Sequence, residues 1–563
     1  MKYKILNIKD KIKENEDIIR IILKNRKIRT KKEIEEFLNP QLGKVTAKSV
    51  GIDSRQLKKA IGRIGQPIKN KEQIVVFGDY DVDGICGTAI LWETLNSLGA
   101  KVSPYIPHRI DEGYGLSEKG IENLKLKIKN CGLIITVDNG IVANKAVEFA
   151  RKQGIDVIIT DHHVPSKKLP DAFAIVHTIK LCGTGVAYLL AQELRTSNFE
   201  IRNKYKNTKY KIQNTHLELV ALATIADLVP LVGANRTLLK FGLEELRKTQ
   251  RIGLKALFQE AGIESSKIGT YEIGHIIAPR LNAMGRLEYA MDSLRLLCTN
   301  SKERADKLAL LLGSTNRERQ TLTIETAEHA KDKVRGQKSK VRSLLFISDE
   351  SYQQGVIGLV AGKLVEEFYK PSIVVSIGEK YSKASARSVS GFNIIEFIRT
   401  ASEILVDAGG HPMAAGFTVE TVNLAMLEET LLKKSDELLD KELLTRTLKI
   451  DCEIPLDFVN ENLYDEIQKL SPFGMGNPEP TFISRKVTIS DMRLVGKDGK
   501  HLKFQFIIHN SKFIIQGIAF GMGDRASEFH IGDKVDIVFS IDENEWNGEK
   551  RLQLKIRDLV NLS

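Results

Sequence analysis

Three aspartates stand at alternate positions in the stretch FGDYDVDG, which spans residues 77–84: Asp79, Asp81 and Asp83. The apolar run IVV at residues 74–76 precedes them and predicts a buried strand that ends at this acidic turn. Like charges so close together repel, and a carboxylate removed from water is destabilised unless a counter-charge meets it. The pattern therefore predicts a bound cation, with a solvated acidic turn as the alternative. A calcium loop is disfavoured, because its bidentate glutamate would fall at Ile90.

The same residue types follow two later apolar runs. Asp138 comes directly after GLIITV, and Asp161, His162 and His163 come directly after DVIIT. In an open parallel sheet, ligands bind beyond the carboxyl ends of the strands, so we expect these side chains to converge with the first aspartates in one crevice.

A further carboxylate, Asp227, ends the apolar helix predicted for LELVALATIADLVP, where Pro230 stops the helix. A buried aspartate on such a helix needs a partner. An ion pair, for example with Arg236, is the alternative to a metal ion at this position.

Carboxylates in this number, with one or two imidazoles, suit Mn²⁺ or Mg²⁺ and not zinc, whose sites are rich in cysteine and histidine. One divalent ion would leave surplus negative charge, so we expect two ions. Two adjacent ions form a clamp for phosphoryl transfer, in which an activated water attacks phosphorus. The sequence thus predicts a phosphoesterase, and an acidic crevice without function is the alternative.

The elements that must position these residues alternate between strand and helix from about residue 74, which predicts an α/β domain with a parallel sheet. A long charged helix over about residues 302–335 and a second, smaller α/β unit follow. Five short strands near the end predict an all-β OB-fold. The predicted boundaries are 1–50 for an N-terminal helical segment, 51–336 for the catalytic domain with its connecting helix, 337–445 for the second α/β domain and 446–563 for the OB-fold.

Composition limits the classes of function. The chain has 563 residues, and 84 Lys plus Arg against 72 Asp plus Glu give a net charge of +12, which favours a polyanionic partner. Five scattered cysteines without a C-x-x-C motif argue against a zinc knuckle or a disulfide framework and predict the reducing cytoplasm. The sequence has no uncharged apolar run of 18 residues, so no membrane step is expected.

The ordered set GDYDVDG, VDNG, DHH and ADLVPL resembles the four motifs of the DHH phosphoesterases. Further segments make the chain similar to the RecJ single-strand-specific exonucleases: HRIDEGYGL, APRLNAMGRL, GVIGLVAGKL, SARSVSGFNI, AGGHPMAAG and PFGMGNPEP. The resemblance implies a 5′ to 3′ exonuclease that releases 5′-mononucleotides from single-stranded DNA with two Mn²⁺ or Mg²⁺ ions, in DNA repair and recombination. Its second α/β domain would be the DHH-associated substrate-binding domain.

The resemblance also implies residue roles. The metal ligands would be Asp79, Asp81, Asp83, Asp138, His162 and Asp227. Asp138 would bridge the two ions and would also be a catalytic residue. His163 would orient or polarise the scissile phosphate. One departure concerns Phe77, because many DHH enzymes have a histidine ligand at that position. Either Asp79 substitutes for it, or the first metal is held more weakly.

Nucleic-acid contacts are predicted in both α/β domains. The candidate substrate-binding residues are Arg109, Arg280, Asn282, Arg286, Ser385, Arg387, Gly409, Gly410 and His411. The alternatives are ion pairs with neighbouring acids for Arg280 and Arg286, and tight turns in a packed core for the glycines. In the OB-fold, the aromatic rings of Phe504, Phe506 and Phe513 could stack on bases, or they could fill the barrel core.

Two rival functions stay open. The first is a DHH-family phosphodiesterase for short oligonucleotides or cyclic dinucleotides, which the strand-rich C-terminal region argues against. The second is a catalytically dead relative that serves as a replication scaffold, which the intact set of acidic residues argues against. We expect a cytoplasmic monomer that binds single-stranded DNA, with RNA as an alternative, and that has a single-strand-binding protein or a helicase as a partner.

Overall fold

The computed structural model describes residues 2–7, 10, 12–109, 111–197, 215–336, 343–507, 514–546 and 548–561. The strands, in chain order, are β1 (Lys2–Ile5), β2 (Gln73–Gly78), β3 (Val102–Tyr105), β4 (Cys131–Val137), β5 (Asp156–Asp161), β6 (Ala174–His177), β7 (Leu345–Asp349), β8 (Ser372–Ser376), β9 (Tyr381–Arg387), β10 (Leu405–His411), β11 (Ala414–Glu420), β12 (Thr447–Ile450), β13 (Cys452–Glu453), β14 (Phe482–Val495), β15 (His501–Ile507), β16 (Ile514–Ala519), β17 (Lys534–Trp546) and β18 (Glu549–Asn561).

The helices, in chain order, are α1 (Asn15–Asn25), α2 (Lys31–Leu38), α3 (Ser54–Asn70), α4 (Val82–Ser97), α5 (Glu118–Lys127), α6 (Asn144–Lys152), α7 (Gly183–Ser197), α8 (Leu217–Ala226), α9 (Gly233–Arg247), α10 (Ile252–Glu260), α11 (Ala278–Leu287), α12 (Met291–Cys298), α13 (Lys302–Gly336), α14 (Ile357–Phe368), α15 (Ile394–Arg399), α16 (Leu424–Leu438) and α17 (Glu461–Gln468). A helical turn at Thr270–Glu272 and a π-helix at Ile273–Ile277 lead into α11.

The chain divides into two compact units. The larger unit comprises residues 42–227 and 238–446, and the smaller one comprises residues 1–41, 228–237 and 447–563. The sequence predicts the first 50 residues as a segment of their own. The structure instead places residues 1–41 in the same unit as the C-terminal region.

The first sheet of the larger unit is parallel and has the strand order β3-β2-β4-β5-β6. Every residue of the internal strand β2 is buried, as expected for a strand with helices on both faces. The carboxyl ends of β2, β4 and β5 therefore lie side by side at one edge of the sheet, directly before the three acidic motifs. The predicted α/β fold with a parallel sheet is confirmed.

The second sheet of the larger unit is mixed. Its order is β10-β11-β9-β8-β7, with β7 parallel to β8 and the other pairs antiparallel. The long helix α13 precedes this sheet and agrees with the predicted charged helix. Apolar residues of the sheet and of α15 and α16 form its core.

The smaller unit contains a closed β-barrel. Strands β14, β15, β16, β18 and β17 follow one another around it, and the pairing of β14 with β17 closes the ring. The predicted C-terminal OB-fold is confirmed. The N-terminal strand β1 pairs in parallel with β12, and the apolar face of α1 packs into the same core as the barrel.

Two of the three phenylalanines that the sequence offers for base stacking lie in the barrel core instead. Phe504 and Phe506 are fully buried and stack on each other with ring centroids 5.4 Å apart, so neither presents a face to a base. Phe513 lies outside the described residues.

All five cysteines are free, and three of them are buried. Among the residues that the structure describes, we find no helix both long enough and apolar enough to cross a bilayer.

Candidate metal centre and arginine cluster

The aspartate turn between β2 and α4 is held by backbone amides. Asp81 caps the N-terminus of α4, where its Oδ1 accepts hydrogen bonds from the amides of Asp83 (2.9 Å) and Gly84 (3.1 Å). The two carboxylate oxygens of Asp83 accept from the amides of Gly183 (2.6 Å) and Thr184 (2.7 Å) at the start of α7. Two helix N-termini thus fix both side chains at the end of the strand.

Asp138 directly follows β4, and the DHH segment, residues 161–163, begins with the last residue of β5. Asp138 adopts a left-handed conformation with φ of 62°, which directs the chain sharply away from the sheet. Asp161 uses its Oδ1 to accept from the amides of His162 (2.7 Å) and His163 (3.1 Å), and its Oδ2 to accept from Ile141 (2.9 Å). Backbone amides therefore satisfy the carboxylate of Asp161, and these hydrogen bonds hold the two histidines in place.

Side chains from four separate segments meet beyond the sheet edge. The Nε2 atom of His162 lies 3.1 Å from Oδ1 of Asp138, 3.6 Å from Oδ2 of Asp227 and 3.8 Å from Oδ2 of Asp83. Three groups of residues have potential ligand atoms that lie within 4.8 Å of one another. They are Asp138 with His162 and His163, Asp83 with His162 and Asp227, and Asp79 with Asp81 and Asp138. The structure brings all seven predicted metal-site and catalytic residues together.

Backbone amides satisfy Asp81 and Asp83, but three carboxylate oxygens of this cluster lack such donors. Oδ1 of Asp79, Oδ1 of Asp138 and Oδ2 of Asp227 are buried and have no hydrogen-bond partner among the described residues. Burial, followed by the neighbouring carboxylates, raises the pKa of Asp79, Asp81 and Asp138, and raises that of Asp227 to about 9. Carboxylate oxygens with one or two imidazoles, in a site where the negative charges outnumber the positive ones, fit divalent cations such as Mn²⁺ or Mg²⁺.

The ion-pair alternative for Asp227 is wrong. The guanidinium of Arg236 donates to the backbone carbonyls of Phe37 (2.9 Å), Leu470 (2.9 Å) and Ser471 (2.8 Å), and it lies 3.9 Å from the centroid of the Phe37 ring. Arg236 belongs to the smaller unit, where it fixes backbone segments. Asp227 directly follows α8, and its Oδ2 lies 3.6 Å from Nε2 of His162.

Phe77 replaces a ligand by a core residue. Its ring is fully buried and stacks on Tyr105 with centroids 5.2 Å apart. Asp79, two residues further on, has one ligand oxygen within 4.8 Å of those of Asp81 and Asp138. Asp79 as the substitute ligand stays a prediction, and its position next to two other candidate ligands supports it.

His163 is fixed at both ring nitrogens. Its Nδ1 lies 2.8 Å from Oδ1 of Asp161, and its Nε2 lies 3.2 Å from the hydroxyl of Tyr114. Burial alone would lower the pKa of His163, but the contact with Asp161 outweighs burial and raises it. The ring of His411, from the second sheet, stacks on His163 at 5.7 Å between centroids. The sequence contained Tyr114 in the segment HRIDEGYGL, but its role depends on this contact, which local pattern does not show.

A second cluster in the same unit consists of arginines. Arg109, Arg286, Arg319 and Arg387 have no ion pair with an acid among the residues that the structure describes. Burial and the charges of the three other arginines lower the pKa of Arg286 to about 9. Nη1 of Arg286 donates to the carbonyl of Gly355 (3.2 Å), and Nε of Arg319 is buried with no hydrogen-bond partner in the described part of the chain. Such guanidinium groups suit phosphate oxygens. Arg319 lies on the long charged helix α13, where the sequence marks it no differently from other surface cations.

Two neighbours on α11 have other contacts. Nε of Arg280 donates to Glu260 (2.8 Å) and its Nη1 donates to the carbonyl of Ile276 (3.0 Å). The ion-pair alternative therefore describes Arg280. The amide oxygen of Asn282 accepts a hydrogen bond from the backbone amide of Val82 (3.0 Å), inside the aspartate turn.

The remaining candidates lie on the second sheet. Ser385 and Arg387 are both partly exposed on β9, and Nη1 of Arg387 donates to the carbonyl of Ala386 (2.9 Å). Gly409 and Gly410 are exposed on the edge strand β10. Gly410 has φ of +138°, and a Cβ there would lie 2.4 Å from the carbonyl oxygen of Ala414, so the backbone conformation requires glycine.

Three family descriptions match separate parts of the chain. The DHH family, N-terminal domain, matches residues 73–224. The DHHA1 domain matches residues 339–441. The RecJ OB domain matches residues 450–558.

The chain is also similar to proteins named single-stranded-DNA-specific exonuclease RecJ. The Bacillus subtilis protein is 36% identical over 90% of this chain, and the chain covers 63% of its length. The Escherichia coli protein is 31% identical over 89% of this chain and 90% of its own length. The crystal structure of RecJ in complex with Mn²⁺ from Thermus thermophilus superimposes with a TM-score of 0.80, at 28% identity, over 97% of this chain and 76% of the other.

Proposed function

Since the chain belongs to the RecJ exonuclease family, we propose that it is a single-strand-specific exonuclease that hydrolyses DNA phosphodiester bonds in the 5′ to 3′ direction and releases 5′-mononucleotides. The proposal includes a role in DNA repair and recombination. The names of the relatives given above support single-stranded DNA as the substrate and exonuclease cleavage as the reaction. The direction follows from the family resemblance of the sequence alone.

One observation carries the chemical part of the proposal. Five aspartates and two histidines from distant segments converge, and three buried carboxylate oxygens in the cluster have no hydrogen-bond partner among the described residues. An uncompensated acidic cluster of this kind is unfavourable by itself and becomes favourable when cations bind.

The proposed ligands of two Mn²⁺ or Mg²⁺ ions are Asp79, Asp81, Asp83, Asp138, His162 and Asp227. When bound, such ions activate water and stabilise the negative charge that develops on the phosphate. In the overall reaction, the water oxygen bonds to phosphorus and the bond from phosphorus to the 3′ oxygen breaks, so that the released nucleotide gains a 3′ hydroxyl. His163, whose ring contacts Asp161 and Tyr114, is the proposed residue that binds or polarises the scissile phosphate.

The arginine cluster is the proposed binding site for backbone phosphates. Arg109, Arg286 and Arg387 were predicted as substrate-binding residues, and each lacks an acidic partner among the described residues. Ser385, Gly409, Gly410 and His411 remain proposed contacts on the second sheet, and the stacking of His411 on His163 supports this placement. Arg280 contributes less to the proposal, because Glu260 already pairs with it.

A long single strand is favoured over a di- or trinucleotide substrate. The RecJ OB domain spans residues 450–558, and OB-folds bind extended single strands by stacking and electrostatic contacts. In this unit Phe520 exposes 55% of its surface beside His501, with ring centroids 5.3 Å apart. The exposed side chains of Arg493, Lys497 and Lys500 belong to the adjoining hairpin. Phe520 takes the stacking role that the sequence suggested for other aromatic residues.

Cellular context is part of the same proposal. A chromosomal substrate supports a cytoplasmic location. We keep a monomeric state, and a single-strand-binding protein or a helicase as partner, as proposals, with RNA as the alternative substrate.

A time course on single strands tests the proposal. The 3′ end of each oligonucleotide carries a label, the 5′ end carries either a phosphate or a hydroxyl, and Mn²⁺, Mg²⁺ or EDTA is present. We expect the labelled strand to shorten one nucleotide at a time from its 5′ end with either ion and to stay intact with EDTA. The released products should be 5′-mononucleotides, apart from the first unit of the 5′-hydroxyl strand, which leaves as a nucleoside. An Asp227→Asn preparation controls for contaminating nucleases. Digestion of duplexes at equal rate, or cleavage of only di- and trinucleotides, would contradict the proposal.

A further inference from the structure

Helix α11 touches the aspartate turn at two points. The amide oxygen of Asn282 accepts from the backbone amide of Val82 at 3.0 Å. One helical turn later, a Cβ on Gly285 would lie 2.4 Å from the carbonyl oxygen of Tyr80, so the helix packs directly on the backbone of the turn. These contacts flank Asp81, whose carboxylate is a proposed metal ligand.

The bond from Val82 completes the hydrogen bonding at the start of α4. The first backbone amides of a helix have no partner within the helix. Here Asp81 accepts from the amides of Asp83 and Gly84, and Asn282 accepts from that of Val82. The N-terminus of α4 therefore has these three amides directed at protein oxygens, and its turn is shaped to place carboxylates and not to bind a phosphate.

The same helix also carries Arg286, a member of the arginine cluster. Arg286 follows Gly285 directly. A Cβ on Gly355 would lie 2.3 Å from the carbonyl oxygen of Arg286, so the two backbones are in close contact. Helix α11 thus contacts the aspartate turn, contributes to the arginine cluster and abuts the second α/β domain within one unit.

We infer that α11 is a clamp for the aspartate turn, in which Asn282 and Gly285 are positioning residues that keep the proposed metal ligands Asp79, Asp81 and Asp83 at their spacing. This role differs from the direct substrate contact that the sequence suggested for Asn282. The inference rests on the proposed function, because it concerns the same metal centre. Groups that orient metal ligands without touching the ion change metal affinity by about 10- to 100-fold when they are removed.

Calorimetric titration of the metal-free protein with Mn²⁺ alone tests the clamp. We expect Asn282→Ala to weaken Mn²⁺ binding about tenfold, because the Val82 amide loses its acceptor. Asn282→Asp retains an acceptor oxygen and should bind Mn²⁺ within about threefold of the unaltered protein. We expect Gly285→Ala, whose Cβ displaces the carbonyl of Tyr80, to weaken binding at least as much as Asn282→Ala. Gly62→Ala is the matched control, because a Cβ at this helical glycine meets no atom within 4 Å.

Steady-state kinetics on a 5′-phosphorylated oligo(dT) separates positioning from substrate contact. The clamp predicts that Asn282→Ala lowers kcat at limiting Mn²⁺, that excess Mn²⁺ restores it, and that KM for DNA changes little. If Asn282 instead donates to DNA, both Asn282→Ala and Asn282→Asp will raise KM and leave Mn²⁺ affinity unchanged, which overturns the inference. A failure of the unaltered protein to bind Mn²⁺ would instead overturn the proposed function.

Thermal unfolding distinguishes local from global effects. The clamp predicts that Asn282→Ala and Gly285→Ala remain folded, with Mn²⁺-free melting temperatures within a few degrees of the unaltered protein. If Asn282→Ala weakens Mn²⁺ binding only in proportion to a general loss of folded protein, the specific clamp is refuted.

Discussion

Two buried charged clusters of the larger unit are built in opposite ways. In the metal centre, carboxylates face other carboxylates, and burial with mutual repulsion raises the pKa of Asp227 to about 9. In the other cluster, which we call the Glu93 network, Glu93 receives hydrogen bonds from Arg251 (2.7 and 2.8 Å) and contacts Nε2 of His216 (2.6 Å). Burial alone would raise the pKa of Glu93, but these contacts outweigh it and lower the pKa from 4.5 to about 2.

The difference distinguishes paired charges, which stabilise the fold, from clusters of like charge, which suit the binding of an oppositely charged ligand. Arg251 also binds Glu218 (2.6 Å), so the Glu93 network pairs acids with bases and ties together α4, α8 and α10. The metal centre and the arginine cluster each gather one sign of charge, which a folded protein tolerates only where an external ion compensates it. Substitutions should therefore act on activity in the like-charged clusters and on stability in the paired one.

The largest expected effect is loss of activity in Asp138→Asn. Asparagine has the same shape and tolerates the left-handed backbone at this position, so the fold should persist. We expect kcat to fall about 10³-fold or more, since the substitution replaces the negative carboxylate of a proposed central ligand by a neutral amide. Single-turnover digestion of a labelled oligonucleotide measures the change, with exposed Asp171→Asn as the control. Activity within tenfold of the unaltered protein would show that Asp138 is not a ligand.

Glu93→Gln should have the opposite profile. Removing the charge leaves Arg251 partly uncompensated, and breaking a buried pair costs about 3 kcal/mol of unfolding free energy. Stability should fall while kcat per folded molecule stays unchanged. Because the folded pKa is lowered, the contribution of Glu93 is present above about pH 4.5 and lost as pH falls toward 2.

Chemical denaturation at several pH values measures this difference. The gap in unfolding free energy between Glu93→Gln and the unaltered protein should be full at pH 7 and should narrow as the pH falls below 4.5. Exposed Glu148→Gln serves as the control. A gap that widens on acidification would contradict the pairing of Glu93 with Arg251 and His216.

Sequence patterns predicted the acidic cluster because the fold imposes it. A parallel sheet sets the carboxyl ends of its strands at one edge, so Asp79 and Asp138 had to be neighbours once the strands were recognised. Asp161 is the last residue of β5 at the same edge, but its carboxylate binds the two histidines of the DHH segment. Only the hydrogen-bond geometry distinguishes these two roles, and spacing does not reveal it.

Long-range packing set the limits elsewhere. The alternation in β15 placed Phe504 and Phe506 on the same face, but whether that face lies inward depends on closure of the barrel. The pairing of β1 with β12 joins residues more than 400 positions apart, for which no local signal exists. Arg319 likewise becomes notable only through the company of three other arginines.

Arg286→Gln tests whether the arginine cluster follows the rule of the metal centre. Removing one of four like charges should leave the melting temperature unchanged or slightly higher. We expect KM for a 5′-phosphorylated strand to rise about 10- to 100-fold, because one charged hydrogen-bond donor to phosphate is lost. Exposed Arg399→Gln is the control. A loss of stability without a change in KM would place Arg286 with the paired network of Glu93.

The smallest expected effect concerns the barrel, whose exposed Phe520 offers an apolar face instead of a charge cluster. Stacking of a base on an aromatic ring contributes about 1–3 kcal/mol, and the exposure of Phe520 argues for the lower end of this range. Phe520→Ala should therefore weaken equilibrium binding of a long oligo(dT) about fivefold and leave hydrolysis of a dinucleotide unaffected. Leu494→Ala, at an equally exposed apolar residue of the same unit, is the matched control. Because stacking depends little on ionic strength, the affinity ratio of the two variants should stay constant between low and high salt, whereas a ratio that vanishes at high salt would assign the effect to the neighbouring cations.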